Sequence, residues 1–149
     1  MTSEEIEKRL KALEDLEEIK KLQREYVFLV NNHQLDQLVE FYAKDSVAEL
    51  REDRGVRRGK KEIAEVYASI AKTMPIDVGH LLAQPVITVD GDTAEGHWLM
   101  YGFLPDKKIQ WLQTRFDAKY VREDGKWKIK WLKYTRPWPE TIRDYRLEP

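Results

Sequence analysis

The sequence predicts an α+β fold: N-terminal helices packed on one face of a curved antiparallel sheet, together a cone-shaped α+β barrel. Three observations predict it. The chain opens with a long Gly- and Pro-free run whose apolar residues recur at spacings of three and four. A second amphipathic run follows a glycine near residue 60. From Pro75 onward the pattern is that of strands joined by short polar turns. Helices first and strands afterwards is the order of an α+β domain rather than of alternating βα units.

The first element is a helix. Thr2 followed by Glu5 fits a capping box. Ile6, Leu10, Leu13, Leu16, Ile19 and Leu22 form one apolar stripe. A helix of about 30 residues is long for a globular domain, so residues 1–14 are read as a helical extension. It either packs on another subunit or stands in solvent. Tyr26 to Val30, "YVFLV", is apolar all round and predicts a buried segment. "NNHQ" then interrupts, and "LDQLVEFYA" reads as a short second helix. "KDSVAEL" and "GVRRG" read as two short strands. "KKEIAEVYASIAKTM" is a third amphipathic helix, with Ile63, Val66, Tyr67 and Ile70 on one face and Gly59 before it.

Four long strands follow, over about 77–89, 93–104, 109–122 and 126–136. "DGD", "PDKK" and "EDG" join them as tight turns, which forces antiparallel neighbours. In "KWKIKW" the residues Trp127, Ile129 and Trp131 alternate with lysines. The alternation fails at "WLKYTR", and a bulge there would return Tyr134 and Arg136 to the inner face.

The chain of 149 residues fits a single domain, 1–149. Lys+Arg (26) and Asp+Glu (27) nearly cancel, leaving a net charge of -1 and no global attraction to nucleic acid or anionic membrane. The basic, aromatic "KWKIKWLK" run reads more simply as an amphipathic strand than as a single-strand nucleic-acid site. There are no cysteines, hence no disulfide, thiolate chemistry or Cys-ligated zinc. No apolar run approaches the ~20 residues of a membrane span. The acidic start lacks an apolar signal core, so the expected location is the cytoplasm. Two strand histidines, His80 and His97, fall short of the three protein ligands usual for catalytic zinc, and no metal or organic cofactor is expected. His33, in the polar break, reads as a solvated loop residue.

Several stretches together carry a family resemblance. They are "EIKKLQREYVFLVNNHQLDQLVEFYAKDSV", "RGKKEI", "GHLLAQPVITVDGDTAEGHW" and "DGKWKIKWLKYTR". Over roughly residues 15 to 136 the chain resembles the SnoaL-like group of the nuclear-transport-factor-2-like superfamily, and within it the bile-acid 7α-dehydratases and, more distantly, scytalone dehydratase. The resemblance implies a cone that binds an apolar small molecule without cofactor. It places the first-helix tyrosine at Tyr26, the strand histidine at His80 and a final-strand arginine at Arg136; the second histidine of scytalone dehydratase lands on His97. Trp98, Tyr101 and Tyr134 join His97 as candidate binding residues. Two positions depart from the pattern. The aspartate that orients the histidine lands on Asn31, and the bile-acid group's second aspartate lands on Gly102.

Elimination next to a carbonyl needs a base for the Cα proton, an acid for the departing hydroxide and donors for the enolate oxygen. Under the resemblance His80 is the base, Tyr26 the acid or oxyanion donor, Asn31 the orienting group and Arg136 the anchor. The expected activity is that of a dehydratase-type lyase acting on an apolar cyclic carbonyl compound. A ketosteroid-type isomerase or polyketide cyclase could use the same groups. A noncatalytic ligand-binding or scaffold protein is the other class, favoured by Asn31 and Gly102. Exposed aromatic sheet and the apolar stripe of the first helix predict a homo-oligomer, trimer or dimer.

Overall fold

The computed structural model describes residues 1–50, 54–74, 79–105 and 109–135. Helix α1 spans Ser3–Asn31, a 3₁₀ segment Leu35–Phe41, and α2 Gly59–Thr73. The strands are β1 (Tyr42–Glu49), β2 (Val56–Arg58), β3 (Gly79–Asp90), β4 (Thr93–Pro105), β5 (Ile109–Glu123) and β6 (Lys126–Thr135). All six form one sheet in the order β2-β1-β6-β5-β4-β3. The helices pack on one face of it.

The sheet is mixed: the four long strands are antiparallel neighbours, as their short turns require, and the parallel pairing joins β6 to a strand outside that set. β1 runs parallel to β6, while the other neighbours are antiparallel. The reason is topological. β1 and β2 form a hairpin whose strand β1 meets the last of the described strands, and α2 with three further strands intervenes between them. No tight turn constrains their relative direction.

The capping box is formed: Thr2 Oγ1 accepts from Glu5 N at 3.2 Å, and Thr2 N donates to Glu5 Oε2 at 2.7 Å. Residues 1–14 are exposed, including Ile6, Leu10 and Leu13 of the apolar stripe. Burial begins at Asp15 and continues through Ile19, Leu22, Gln23 and Tyr26. From there α1 packs on β3, the 3₁₀ segment and β6. Asp15 fastens its first buried turn. It accepts from Lys11 at 2.8 Å, from the Trp127 indole at 3.3 Å and from Arg122 of β5.

Two irregularities re-aim side chains. In β6 the register passes from Tyr120↔Ile129 to Lys119↔Trp131, so Lys130 is the extra residue of a bulge. Leu132 and Tyr134 thereby pair with Ala118 and Phe116 on the covered face. Trp131, expected to face inward with Trp127 and Ile129, turns outward. Its indole donates to Glu49 at 2.8 Å, and Lys119 Nζ stands 5.7 Å from the ring centre. In β3 the register slips between Ala83 and Val86, around Gln84 (φ 52) and Pro85. A proline has no N–H for the ladder, and this edge strand accommodates it at the irregularity. The β5–β6 turn has both central residues, Asp124 (φ 51) and Gly125 (φ 75), in the left-handed region, as a type I′ hairpin requires.

Candidate active site

The covered face of the sheet is defined by the inward set of β5, with Thr114, Phe116, Ala118 and Tyr120 all buried. On β4 the matching parity belongs to Ala94, Gly96, Trp98 and Gly102, which are buried. Directly paired residues of an antiparallel ladder share a face. His80 pairs with Gly102, so His80 lies on the helix-covered side. A Cβ built on Gly102 would sit 3.6 Å from His80 Cδ2 and 3.9 Å from Nε2. The imidazole therefore lies over Gly102.

Asn31 does meet His80, but not through the ring. Asn31 Nδ2 donates to the His80 carbonyl at 2.9 Å, and His80 N donates to Asn31 Oδ1 at 2.8 Å. The carboxamide thus clamps the main chain where β3 begins. The expectation that Asn31 orients the imidazole is corrected: it fixes the backbone that carries it. A carboxamide suits this task because it offers a donor and an acceptor side by side, whereas a carboxylate offers acceptors alone.

Tyr26 lies at the centre of an aromatic nest. Its ring makes edge contacts with Phe41 (6.1 Å), Tyr42 (6.4 Å), Tyr67 (6.5 Å) and Phe116 (6.3 Å). Its hydroxyl is hydrogen-bonded to Tyr67 and stands 3.4 Å from that of Tyr42, while the Tyr42 and Tyr67 hydroxyls are 2.7 Å apart. The three come from α1, β1 and α2, and all are buried. A ring of three hydroxyls can satisfy itself, each donating once and accepting once, with a lone pair left on each oxygen. Burial pushes the phenols of Tyr26 and Tyr42 well above their ordinary range, and that of Tyr67 upward too. They stay neutral at physiological pH and act as donors, not as bases. Tyr134 packs edge-on to Phe116 at 5.1 Å, and burial pushes its phenol up as well. Trp98 is buried on the same face, its indole donating to Tyr120 at 3.3 Å.

The other candidates fall elsewhere. His97 alternates with Trp98 and faces outward, its side chain 47% exposed. There its Nδ1 pairs with Asp117 at 2.6 Å, Arg115 Nε donates to the second Asp117 oxygen at 2.8 Å, and Glu95 lies 3.7 Å from Nε2. Tyr101 alternates with buried Gly102 and shares the outer face by parity. Neither belongs with His80 in one interior site, and the reason is the period of two: Trp98 and Gly102 point in, so 97 and 101 point out. Arg136 lies outside the described residues. His33, at the end of α1, has φ 57 and its N–H on the Val30 carbonyl at 3.2 Å.

Sequence reasoning took Tyr42 and Tyr67 for packing residues and so missed the hydroxyl cluster. The signal was available in the tyrosines themselves. Each sits on an apolar face that would bury it, and a buried phenol needs a partner. Among the described residues no three His, Asp or Glu side chains converge as metal ligands, and no helix among them is long and apolar enough to cross a membrane.

Comparison with known proteins supports the same architecture. The family model of the SnoaL-like domain matches residues 11–133. A nuclear-transport-factor-2-like protein with a cystatin-like fold from Novosphingobium aromaticivorans superposes with a TM-score of 0.79 at 19% identity, covering 99% of this chain and 98% of its own. The hexachlorocyclohexane dehydrochlorinase of Novosphingobium barchaimii gives 0.76 at 16% identity, with 87% and 91% covered. A Novosphingobium aromaticivorans protein provisionally assigned as a scytalone dehydratase gives 0.73 at 14%, with 83% and 84% covered. A search of curated protein sequences finds no match. With the family model spanning most of the chain, and the helices-on-sheet architecture shared with these structures, the chain belongs to the SnoaL-like domain family.

Proposed function

We propose that the chain is a cofactor-independent lyase of the dehydratase type, acting on an apolar cyclic carbonyl compound held against the covered face of the sheet. The observation that carries this reading is the hydroxyl cluster of Tyr26, Tyr42 and Tyr67, buried on the same side of the sheet as His80. His80 removes the proton from the carbon next to the carbonyl. The electron pair moves to the carbonyl oxygen, which becomes an enolate. Tyr26, neutral because its burial disfavours the phenolate, donates a hydrogen bond to that oxygen. When a guest oxygen recruits the Tyr26 hydroxyl, the closed ring of hydroxyls opens into a chain. Tyr42 and Tyr67 can then donate toward Tyr26 and strengthen it as a donor. Collapse of the enolate expels the β-hydroxyl, which leaves as water with the proton that His80 took up. Asn31 serves this chemistry by fixing the backbone at His80. Two structural neighbours carry the names of a dehydrochlorinase and, provisionally, of a scytalone dehydratase, and both names denote eliminations, in keeping with this reading.

A suitable substrate for the test is 3-hydroxy-1-tetralone, whose loss of water yields fluorescent 1-naphthol. The wild type is expected to release 1-naphthol, and Tyr26→Phe to lower kcat by about 100-fold with the fold intact. A wild-type rate equal to the buffer rate, or a Tyr26→Phe variant as active as the parent, contradicts the proposal.

A further inference from the structure

Gln23 is 0% exposed and lies on the buried stripe of α1, one turn before Tyr26. Both of its amide atoms, Oε1 and Nε2, are without a hydrogen-bond partner among the described residues. A buried primary amide with neither half paired is costly, and folded proteins rarely retain one without a use. The rest of the stripe shows the contrast. Asp15, two turns earlier, gathers donors from Lys11, Arg122 and Trp127. Ile19 and Leu22 are aliphatic. Packing at position 23 would be served as well by an unbranched apolar side chain, which pays no desolvation penalty. Residues three apart on a helix are neighbours on its surface, so Gln23 and the tyrosine that heads the hydroxyl cluster adjoin one another.

We propose that Gln23 is a ligand-recognition residue of this interior site. Its amide pairs with the polar atoms of a bound hydroxy-ketone or its enol. Nε2 donates to the carbonyl or enolate oxygen, and Oε1 accepts from the hydroxyl. An amide carries its donor and acceptor on one carbon, so the two can meet a β-hydroxy ketone in parallel, as they meet another amide. This narrows the substrate class from any apolar carbonyl compound to one with a hydroxyl near the carbonyl. The inference rests on the reading of the covered face as a small-molecule site.

The test compares 1-naphthol, a stable enol, with naphthalene, which has the same ring system and no polar atom. Binding of each is measured by fluorescence to the wild type and to Gln23→Met, alongside the thermal midpoint of both proteins. The wild type is expected to prefer 1-naphthol by about tenfold or more, the value of one net hydrogen bond. Gln23→Met is expected to lose about tenfold of that preference, keeping only the part that Tyr26 supplies, and to melt no lower than the wild type. A variant that keeps the full preference overturns the assignment of Gln23 while leaving the site itself intact. A variant that melts markedly lower overturns it too, since the amide then serves the fold. A wild type that binds neither compound overturns the small-molecule reading and this inference with it.

Discussion

A single hydrogen-bonding side chain changes what one substitution should do. Judged by family resemblance, Asn31 stands where an aspartate would orient a histidine, and Asn31→Asp should then improve activity. The geometry reverses that expectation. Aspartate would lose the donor to the His80 carbonyl and set a negative carboxylate against it. Asn31→Asp is expected to cost about 1–3 kcal/mol in urea unfolding and to reduce turnover; a variant as stable as the parent and more active would contradict the clamp. The place for a carboxylate is Gly102. Added side-chain atoms there meet His80 at 3.6 Å, an ordinary contact. Gly102→Asp is expected to fold and to raise kcat by about tenfold by pairing the base with a charge; unchanged kcat in a folded variant would show that the imidazole needs no such partner. The burial of Tyr26 was legible in the sequence from its apolar helix segment, whereas its selection with His80 as a site pair came from the family resemblance. The partner of Asn31 was not legible, because sequence spacing across 49 residues does not say whether an amide meets a ring or a main chain.

Among elements, α1 is held at two points of different chemistry. Near its C-terminus Asn31 clamps β3, and at its first buried turn Asp15 ties it to β5 and β6. Burial alone would raise the Asp15 pKa, but hydrogen bonds from Lys11, Arg122 and Trp127 outweigh it and hold the carboxyl below its usual value of 3.8. A carboxyl depressed in the folded state stabilises that state above its unfolded pKa and loses the contribution as pH falls through the folded value. Stability should therefore decline below about pH 4, and Asp15→Asn should flatten that part of the pH profile. Parallel profiles for the two proteins would contradict the lock. Helix positions and strand boundaries were readable from periodicity to within a few residues, as were the "DGD" and "EDG" turns, while "PDKK" lies largely outside the described residues. The inward or outward direction of His97 was not, since both residue sets of β5 looked plausible. Phe116 and Tyr120 take the helix-covered face, and alternation puts Asp117, itself buried, and its partner His97 on the opposite face. A bulge in β6 was foreseeable from adjacent Trp131 and Leu132. Its seat at Lys130, which reverses Trp131, depends on a register that one strand's sequence does not contain.

The whole molecule is a sheet with two unlike faces. The outer face carries paired polar groups, His97 with Asp117 and Lys133 with Glu49 at 3.1 Å, beside exposed Leu81 and Val86. The covered face carries the hydroxyl cluster, Gln23 and His80. The exposed stripe of Ile6, Leu10 and Leu13 belongs to neither face, and its shielding is expected to come from a second copy of the chain. Replacing Ile6, Leu10 and Leu13 with serine should then lower the mass seen by light scattering while leaving the thermal midpoint of the domain nearly unchanged. An unaltered mass would place the interface elsewhere. The proposed proton transfer from carbon belongs to the covered face and to His80. It is tested most directly by following exchange of the C2 protons of 1-tetralone in deuterium oxide by NMR, with wild type, His80→Asn and His97→Asn. Catalysed exchange is expected from the wild type, with a loss of about 100-fold in His80→Asn and none in His97→Asn. Exchange that survives in His80→Asn, or that vanishes in His97→Asn instead, would contradict that assignment.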